Sequence, residues 1–124
     1  MASLPESVSK AWEQRKGPAV FTTVDTSGVP NSIYVGCMSK YDDQTVLVAD
    51  NYFDKTRKNI KAGSKGSFLF ITDGGKAFQI KGDIEYHTEG ELFKDMKSWN
   101  PSHPGHAVAA IRVTEVYSGA EKLV

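Results

Sequence analysis

The sequence predicts a mainly β protein, a six-stranded antiparallel barrel with flanking helices, in one domain that spans residues 1–124. Six segments are rich in β-branched and aromatic residues, which is typical of strands. The first strands are separated by short turn segments, which favours antiparallel pairing. A chain of 124 residues can build one sizeable core but not two. We therefore expect a single β-barrel with helices packed beside it.

An amphipathic helix is expected near the N-terminus, because Leu4, Val8 and Ala11–Trp12 recur at a spacing of three to four residues. Ser3 could cap this helix at its start. Gly17–Pro18 would end it, since proline cannot continue a helix. The barrel therefore begins after residue 18.

Three predicted strands follow, and turn residues separate them. The strands are Ala19–Val24, Asn31–Ser39 and Thr45–Ala49. The turns are Asp25–Gly28 and Tyr41–Gln44, which hold the Asp, Gly and Ser residues common in tight turns. Connections this short favour antiparallel neighbours.

A hairpin is predicted in the second half of the chain. Gly66–Asp73 reads as a strongly apolar strand, and Gly74–Gly75 is a turn sequence. Lys76–His87 then alternates apolar and polar residues, which is the pattern of a half-buried strand. Gly82 lies in the middle of this long strand and predicts a bend there.

The last third of the chain predicts a helix, a loop and a closing strand. Thr88–Glu91 has the sequence of a capping box, which marks a helix start. The apolar residues of this helix are Leu92, Phe93, Met96 and Trp99. Two prolines and a glycine make Asn100–His106 a loop, and Ala107–Tyr117 is the sixth strand.

Composition argues against several classes of partner. The chain has 15 basic and 15 acidic residues, so it has no overall attraction for nucleic acid or anionic membranes. It has one cysteine, Cys37, which rules out an intrachain disulfide. No apolar run approaches the roughly 20 residues of a membrane span, and no secretory leader is visible. We expect a cytoplasmic protein that binds neither nucleic acid nor membranes.

A basic segment at residues 55–65 is the clearest candidate for a ligand site. It contains five lysine or arginine residues and no acid, and Asp54 stands at the start of a predicted short helix that Gly63 ends. A phosphate at this helix start would meet free backbone N–H groups, the hydroxyl of Thr56 and the ammonium of Lys55. The alternative is a solvated basic helix face, and we expect Arg57, Lys58 and Lys61 to be solvated.

Several other residues have both a functional and a structural interpretation. Gly36 could allow a flat ligand to approach the backbone, or could mark a bulge. Cys37 could have a redox role, although a buried apolar role is commoner. Trp99 could stack on a ring or anchor its helix in the core. The pair His103 and His106 lacks the further ligands that a metal site needs, and we expect no metal.

In the order of these elements the sequence resembles the FMN-binding split-barrel family, which includes the pyridoxamine 5'-phosphate oxidases. It is most similar to the small single-domain members of that family. The matching segments are the leading helix, the turn Ser27–Pro30, the run Asp54–Ile60 after a strand, and Phe78–Gly82. The resemblance implies a six-stranded antiparallel split barrel of Greek-key type.

The resemblance also implies a homodimer with two FMN molecules at the subunit interface. It implies a phosphate site at Lys55 and Thr56, and Asn59 in the same matching run is expected to bind the cofactor as well. It implies ring and ribityl contacts from strand two and from the end of strand three, at Tyr34, Val35, Gly36, Cys37, Ala49 and Asp50. Gln79 is expected to reach the cofactor, and Trp99 to cover the flavin of the other subunit.

The function implied by the resemblance is that of an FMN-dependent oxidoreductase acting through the flavin N5, with a small molecule or a nicotinamide as electron donor. Catalytic residues of the protein itself are not predicted, because the flavin would carry the chemistry. A flavin-carrying electron-transfer protein without its own substrate is the first alternative, and a non-enzymatic split barrel that binds another ligand such as haem is the second. Pyridoxamine-phosphate oxidation itself is not expected, since the sequence stops at Val124 without the substrate-binding extension of those enzymes.

Overall fold

The computed structural model describes residues 2–124, which form three helices and eight strands in one curled antiparallel sheet. The helices are α1 (Glu6–Trp12), α2 (Lys55–Lys61) and α3 (Glu91–Trp99). The strands are β1 (Ala19–Val24), β2 (Pro30–Val35), β3 (Met38–Asp42), β4 (Thr45–Asp50), β5 (Gly66–Ile71), β6 (Ala77–His87), β7 (Ala107–Ser118) and β8 (Glu121–Lys122). Their order is β2-β1-β5-β6-β7-β4-β3, with β8 beside β7. The predicted mainly β, antiparallel split barrel is confirmed.

The strand count differs from the prediction of six. The predicted strand Asn31–Ser39 is broken at Gly36–Cys37, so that β2 and β3 lie at opposite edges of the sheet. The carbonyl of Cys37 accepts a hydrogen bond from the N–H of Ala49, which ties this turn to β4. We call the unpaired boundary between the β2 and β3 edges the seam. It is where the barrel is split.

The sheet packs against two separate apolar cores. The barrel interior holds the larger one, whose fully buried side chains include Phe21, Phe68, Ile80 and Ile111. The smaller core lies between α3 and the outer faces of β4 and β7, with Leu47, Met96 and Val108 among its members. All six residues of β4 are buried because the strand has a core on each side. The end of β4 at Asp50 is therefore fixed in position, and the loop that follows starts from it.

The predicted hairpin and bend are both confirmed. Gly75 has a φ of 82°, and the N–H of Thr72 donates to the carbonyl of Lys76 across the turn. The pairing of β6 with β7 shifts register between Lys81 and Gly82. A side chain at Gly82 would place its Cβ 2.0 Å from the carbonyl oxygen of Arg112, so only glycine fits this bulge.

The three predicted side-chain helix caps are wrong. α1 begins after Pro5, so Ser3 is not the capping residue, and α3 follows Gly90 at a φ of 91° without a side-chain cap. Asp54 does precede α2, but its carboxylate makes no cap hydrogen bond and lies 3.8 Å from the ammonium of Lys58 instead. Within residues 2–124 no helix is long and apolar enough to cross a membrane.

Candidate functional site

Two clefts lie along β2 beside the seam. Both are formed mainly by β2 with its flanking turns and by residues 49–62, and His103 from a third segment adds to the first. The first, the apolar cleft, has a volume of about 360 Å³ and is lined by Ile33, Tyr34, Val35, Gly36, Cys37, Ala49, Asn51, Tyr52, Phe53 and His103. The second, the basic cleft, has a volume of about 510 Å³ and is lined by Asp25, Thr26, Val29, Pro30, Asn31, Lys55, Lys58, Asn59 and Ala62.

The apolar cleft has the shape and lining that suit a flat ring. Val35 and Phe53 are buried and form part of its floor. Tyr34 and Tyr52 stand at its rim and are 77 % and 78 % exposed, which is unusual for large aromatic side chains. Gly36 leaves open space, since a Cβ built there would meet nothing within 4 Å. A planar ligand could therefore lie against the backbone, with two exposed aromatic side chains lining the same cleft.

The basic cleft offers a free positive charge. Lys55 is exposed and makes no ion pair with any residue in the range 2–124, whereas Lys58 pairs with Asp54 at 3.8 Å. Asp25 also lines this cleft, but its Oδ1 accepts hydrogen bonds from the backbone N–H groups of Ser27 and Val29. The two lysines outnumber the one carboxylate in this lining, so the cleft carries a net positive charge, which suits an anion.

The polar residues behind Lys55 are tied to the barrel. Thr56 is only 1 % exposed, and its hydroxyl accepts a hydrogen bond of 3.1 Å from the Nδ2 of Asn31. Asn59 lines the basic cleft and donates through Nδ2 to the hydroxyl of Thr23 at 3.0 Å. Both contacts join α2 to the β1–β2 side of the seam. Thr56 thus lies behind Asn31 and does not itself line the cleft.

Asp50, at the end of β4, is a buried carboxylate, and both of its oxygens are engaged in hydrogen bonds. It is 0 % exposed, and its two oxygens accept bonds from Nε and Nη2 of Arg57 at 2.8 and 2.9 Å, from the N–H of Phe53 at 3.0 Å, and from the hydroxyl of Tyr86. Lys61 lies over the ring of Tyr86, with its ammonium 5.6 Å from the ring centre. We call Asp50, Arg57 and Tyr86 the Asp50 network.

The Asp50 network corrects one prediction. Arg57 was expected to be solvated, but it turns away from the basic cleft to pair with Asp50. Tyr86, near the end of β6, is half-buried against the same carboxylate. The carboxylate of Asp50 has no free oxygen left for a ligand, so any ligand contact of this residue would be through its backbone.

The pKa values in the network follow from burial and hydrogen bonding. Burial alone would raise the pKa of Asp50, but the bonds from Arg57, Tyr86 and the N–H of Phe53 outweigh it and leave that pKa below its ordinary value. The hydrogen bond to Asp50 raises the pKa of Arg57 further, and burial raises the pKa of Tyr86. At neutral pH the network is an ion pair with a neutral phenol.

Asn51 holds the other wall of the apolar cleft. Its Oδ1 accepts bonds from the Nδ2 of Asn100 at 2.8 Å and from the N–H of Gly105 at 2.9 Å. These bonds fasten the α3–β7 loop, residues 100–106, to the end of β4. Asn51, Tyr52 and His103 were not predicted as site residues. For Asn51 and Tyr52, the sequence signal was their position directly after the apolar strand that became β4.

Gln79 and Trp99 lie outside both clefts. Gln79 is on the outer face of β6 and donates to the hydroxyl of Ser67 at 2.8 Å. Trp99 packs on the smaller core and donates from its indole nitrogen to Asp95 at 3.0 Å. It also lines a shallow groove of about 260 Å³ on the far side of Gly36–Cys37. Neither side chain lines the apolar cleft, although Trp99 shares the groove with Gly36, Cys37 and His103, which line both.

A row of side chains crosses the outer face of the sheet in register. Tyr34 pairs with Val20, Val20 with Leu69, Leu69 with Gln79, and Gln79 with Tyr117. Directly opposed residues of antiparallel strands point to the same face, so these five form a continuous strip. We call it the outer row. Leu69 and the neighbouring Ile71 are 40 % and 46 % exposed, which leaves apolar surface on this face uncovered.

Residues 2–124 offer one free thiol beside the apolar cleft and no cluster of metal-binding side chains. Cys37 is a half-buried free thiol beside Gly36. Residues 2–124 contain no group of three or more His, Cys, Asp or Glu side chains arranged to hold a metal ion. The lining offers space for a ring and a positive charge for an anion, and a redox-active ligand there would carry the reactive atoms itself.

Comparison with known proteins assigns this arrangement to a family. The sequence pattern of the pyridoxamine 5'-phosphate oxidase family matches residues 6–119. An uncharacterized protein of Methanocaldococcus jannaschii is 31 % identical over 102 residues, which are 77 % of this chain and 68 % of that protein. The structure of HupZ from Group A Streptococcus has a TM-score of 0.80 at 25 % identity and covers 93 % of each chain. That of an FMN-binding protein from Syntrophomonas wolfei has a TM-score of 0.76 at 21 % identity, and covers 94 % of this chain and 97 % of that one.

Proposed function

Since the chain belongs to the pyridoxamine 5'-phosphate oxidase-like family of FMN-binding split barrels, we propose that it binds FMN and acts as a dimeric FMN-dependent oxidoreductase in the cytoplasm. The phosphate would occupy the basic cleft and the isoalloxazine ring the apolar cleft. The observation that carries the proposal is that both clefts are lined by residues of the same strand, β2. From Asn31 to Val35 the strand advances four residues, roughly 13 Å. That spacing suits a ligand with a flat ring at one end and an anion at the other.

The residues present fit this cofactor. Lys55 has no partner among residues 2–124 and could pair with a phosphate, while Asn59 and Asn31 add amide groups beside it. The open backbone at Gly36 and the small Ala49 leave room for a ring. FMN would supply the hydride or electron transfer, and the protein would bind it, orient it and exclude water from one face.

Lys55→Ala should weaken FMN binding about tenfold, because it removes a charge-assisted hydrogen bond worth roughly 1.5 kcal/mol. Binding of riboflavin, which lacks the phosphate, should change little. The measurement is a fluorescence titration of each flavin. Lys61→Ala is the matched control, since Lys61 is on the same helix but faces Tyr86 rather than the basic cleft. Equal losses in the two variants would rule out the phosphate site.

The proposed homodimer would use the outer row. Two of its members, Tyr34 and Leu69, are exposed, and Tyr34 belongs both to this row and to the rim of the apolar cleft. A second copy seated on this face would therefore lie next to the ligand. It could bring Gln79 or Trp99 of its own chain toward the cleft, as the sequence resemblance implies.

Leu69→Glu should convert the dimer to a monomer at micromolar concentration, because it buries a charge in the centre of the apolar contact. Sedimentation velocity would show the change. Thr88→Glu adds the same charge at an exposed site beyond the end of β6 and should leave the dimer intact. A wild-type protein that sediments as a monomer with FMN bound would refute this use of the outer row.

The oxidoreductase proposal is tested most directly by anaerobic reduction of the FMN-loaded protein. Bleaching of the flavin bands by NADH or NADPH, followed by turnover with a small acceptor, is the expected result. A flavin that binds but is reduced by neither nicotinamide would favour the electron-carrier function instead. A colourless protein that ignores added FMN would overturn the whole proposal.

A further inference from the structure

His103 stands at the mouth of the apolar cleft without a partner. It lines this cleft and also the shallow groove beyond Gly36–Cys37, so it projects at the edge they share. The side chain is exposed. Among residues 2–124, the only imidazole engaged in a hydrogen bond is that of His87, on β6. The imidazole of His103 is therefore free to meet a ligand.

The loop that carries His103 is held on both sides of it. Before it, Asn100 donates to Asn51 at 2.8 Å. After it, Lys97 donates to the carbonyls of Pro104 and Gly105, each at 3.1 Å, and Gly105 donates to Asn51 at 2.9 Å. Further along, the N–H of His106 donates to the carbonyl of Asp50 at 2.9 Å. These bonds come from β4 and α3, so the backbone position of the loop is set by the scaffold.

His103 is also the one imidazole that lines the apolar cleft, and an imidazole nitrogen can donate or accept a hydrogen bond. The other titratable groups that face it there are Tyr34, Cys37 and Tyr52, and no carboxylate or ammonium lines the cleft. Of the charged groups close by, Lys97 is engaged with the loop carbonyls, and Asp95 accepts from the indole of Trp99. A charge on His103 would therefore not be neutralised by an acid of this cleft.

We propose that His103 is the acid–base residue of the apolar cleft, a role that rests on the FMN-binding function proposed above. When a hydride donor such as a reduced nicotinamide breaks a C–H bond and delivers hydrogen with two electrons to the bound ligand, the ligand gains one negative charge. The imidazolium N–H of His103 supplies the matching proton. The imidazole then takes a proton from solvent, to which its ring is open.

The first test follows the three histidines by NMR while FMN is added to the whole protein. FMN should shift the side-chain resonance of one histidine, and His103→Gln should remove that resonance. His106→Gln is the matched control, because His106 is exposed in the same loop but does not line the cleft. It should leave the shifting resonance in place.

The second test measures anaerobic reduction of bound FMN by the nicotinamide that reduces the wild type. His103→Gln should slow reduction about 100-fold near neutral pH, the smaller end of the range for a general acid, and should flatten the pH profile. His106→Gln should do neither. FMN that binds without moving the His103 resonance, or an unchanged rate in His103→Gln, would overturn the role of His103 while leaving the FMN site standing. Absence of FMN binding would overturn both.

Discussion

Replacing Asp50 by alanine should lower the free energy of unfolding by about 3 kcal/mol. Asp50 is fully buried, and its carboxylate accepts bonds from Arg57, Tyr86 and the N–H of Phe53. Removing it leaves an unpaired guanidinium and an unsatisfied backbone N–H. The lower end of the usual range for a broken buried pair is expected, because the side chain of Arg57 is 32 % exposed and can regain water. Urea unfolding of the apoprotein gives the value.

Asp83→Ala is the matched control for this experiment. Asp83 also pairs with a cation, Lys65, but both side chains are mostly exposed. Its loss should cost less than about 0.5 kcal/mol. Equal costs in the two variants would show that the Asp50 network does not stabilise the fold.

The stabilisation by Asp50 should depend on pH with a definite sign. The pKa of its carboxyl is lower in the folded protein than in the unfolded chain. The stabilisation is therefore complete above the unfolded pKa, about 4, and is lost as the pH falls through the folded value. The difference in unfolding free energy between wild type and Asp50→Ala should accordingly be constant near pH 7 and shrink below about pH 4. A difference that grew on acidification would contradict this assignment.

Gly82→Ala should destabilise the protein by about 3 kcal/mol or more. The new Cβ would lie 2.0 Å from the carbonyl oxygen of Arg112 and 2.7 Å from its carbonyl carbon. These are backbone atoms of the paired strand β7, so they cannot move aside without disturbing the longest strand pair of the sheet. The result should be a lower urea midpoint, or failure to fold at 37 °C.

Gly36→Ala provides the comparison, because a Cβ there would meet nothing within 4 Å and the backbone does not have a positive φ. Its unfolding free energy should stay within about 1 kcal/mol of the wild type. If Gly82→Ala were equally harmless, the register shift between β6 and β7 would not require glycine.

The features of the fold that are encoded locally were predictable. The turn at Gly74–Gly75, the bend at Gly82 and the alternation along β6 all depend on neighbours in sequence. The break at Gly36–Cys37 was not predictable, because continuing the strand and breaking it leave the same apolar pattern. The strand after the break, β3, joins the other edge of the sheet, and the pairing of β4 with β7 decides this.

The residues of the candidate site likewise fall into those that were predictable from the sequence and those that were not. Lys55 and Asn59 were both expected to contact the cofactor, and both line the basic cleft. The partners of Arg57 were missed because they lie 7 and 29 residues away, at Asp50 and Tyr86. A run of charged residues in a sequence shows which side chains are ionised. It does not show which of them will pair with a buried carboxylate.

The seam has a mechanical consequence. A barrel closed all round by hydrogen bonds resists any change in girth, because widening it must break a ladder between strands. Here the β2 and β3 edges are joined by the turn at Gly36–Cys37 rather than paired. Helix α2 braces the gap through Asn31–Thr56 and Thr23–Asn59 on the β1–β2 side and through Arg57–Asp50 at the end of β4. Widening the barrel at the seam would therefore strain these side-chain contacts and the bond between the N–H of Ala49 and the carbonyl of Cys37, but would break no ladder between strands. We expect compliance to be concentrated on the side that would face the ligand.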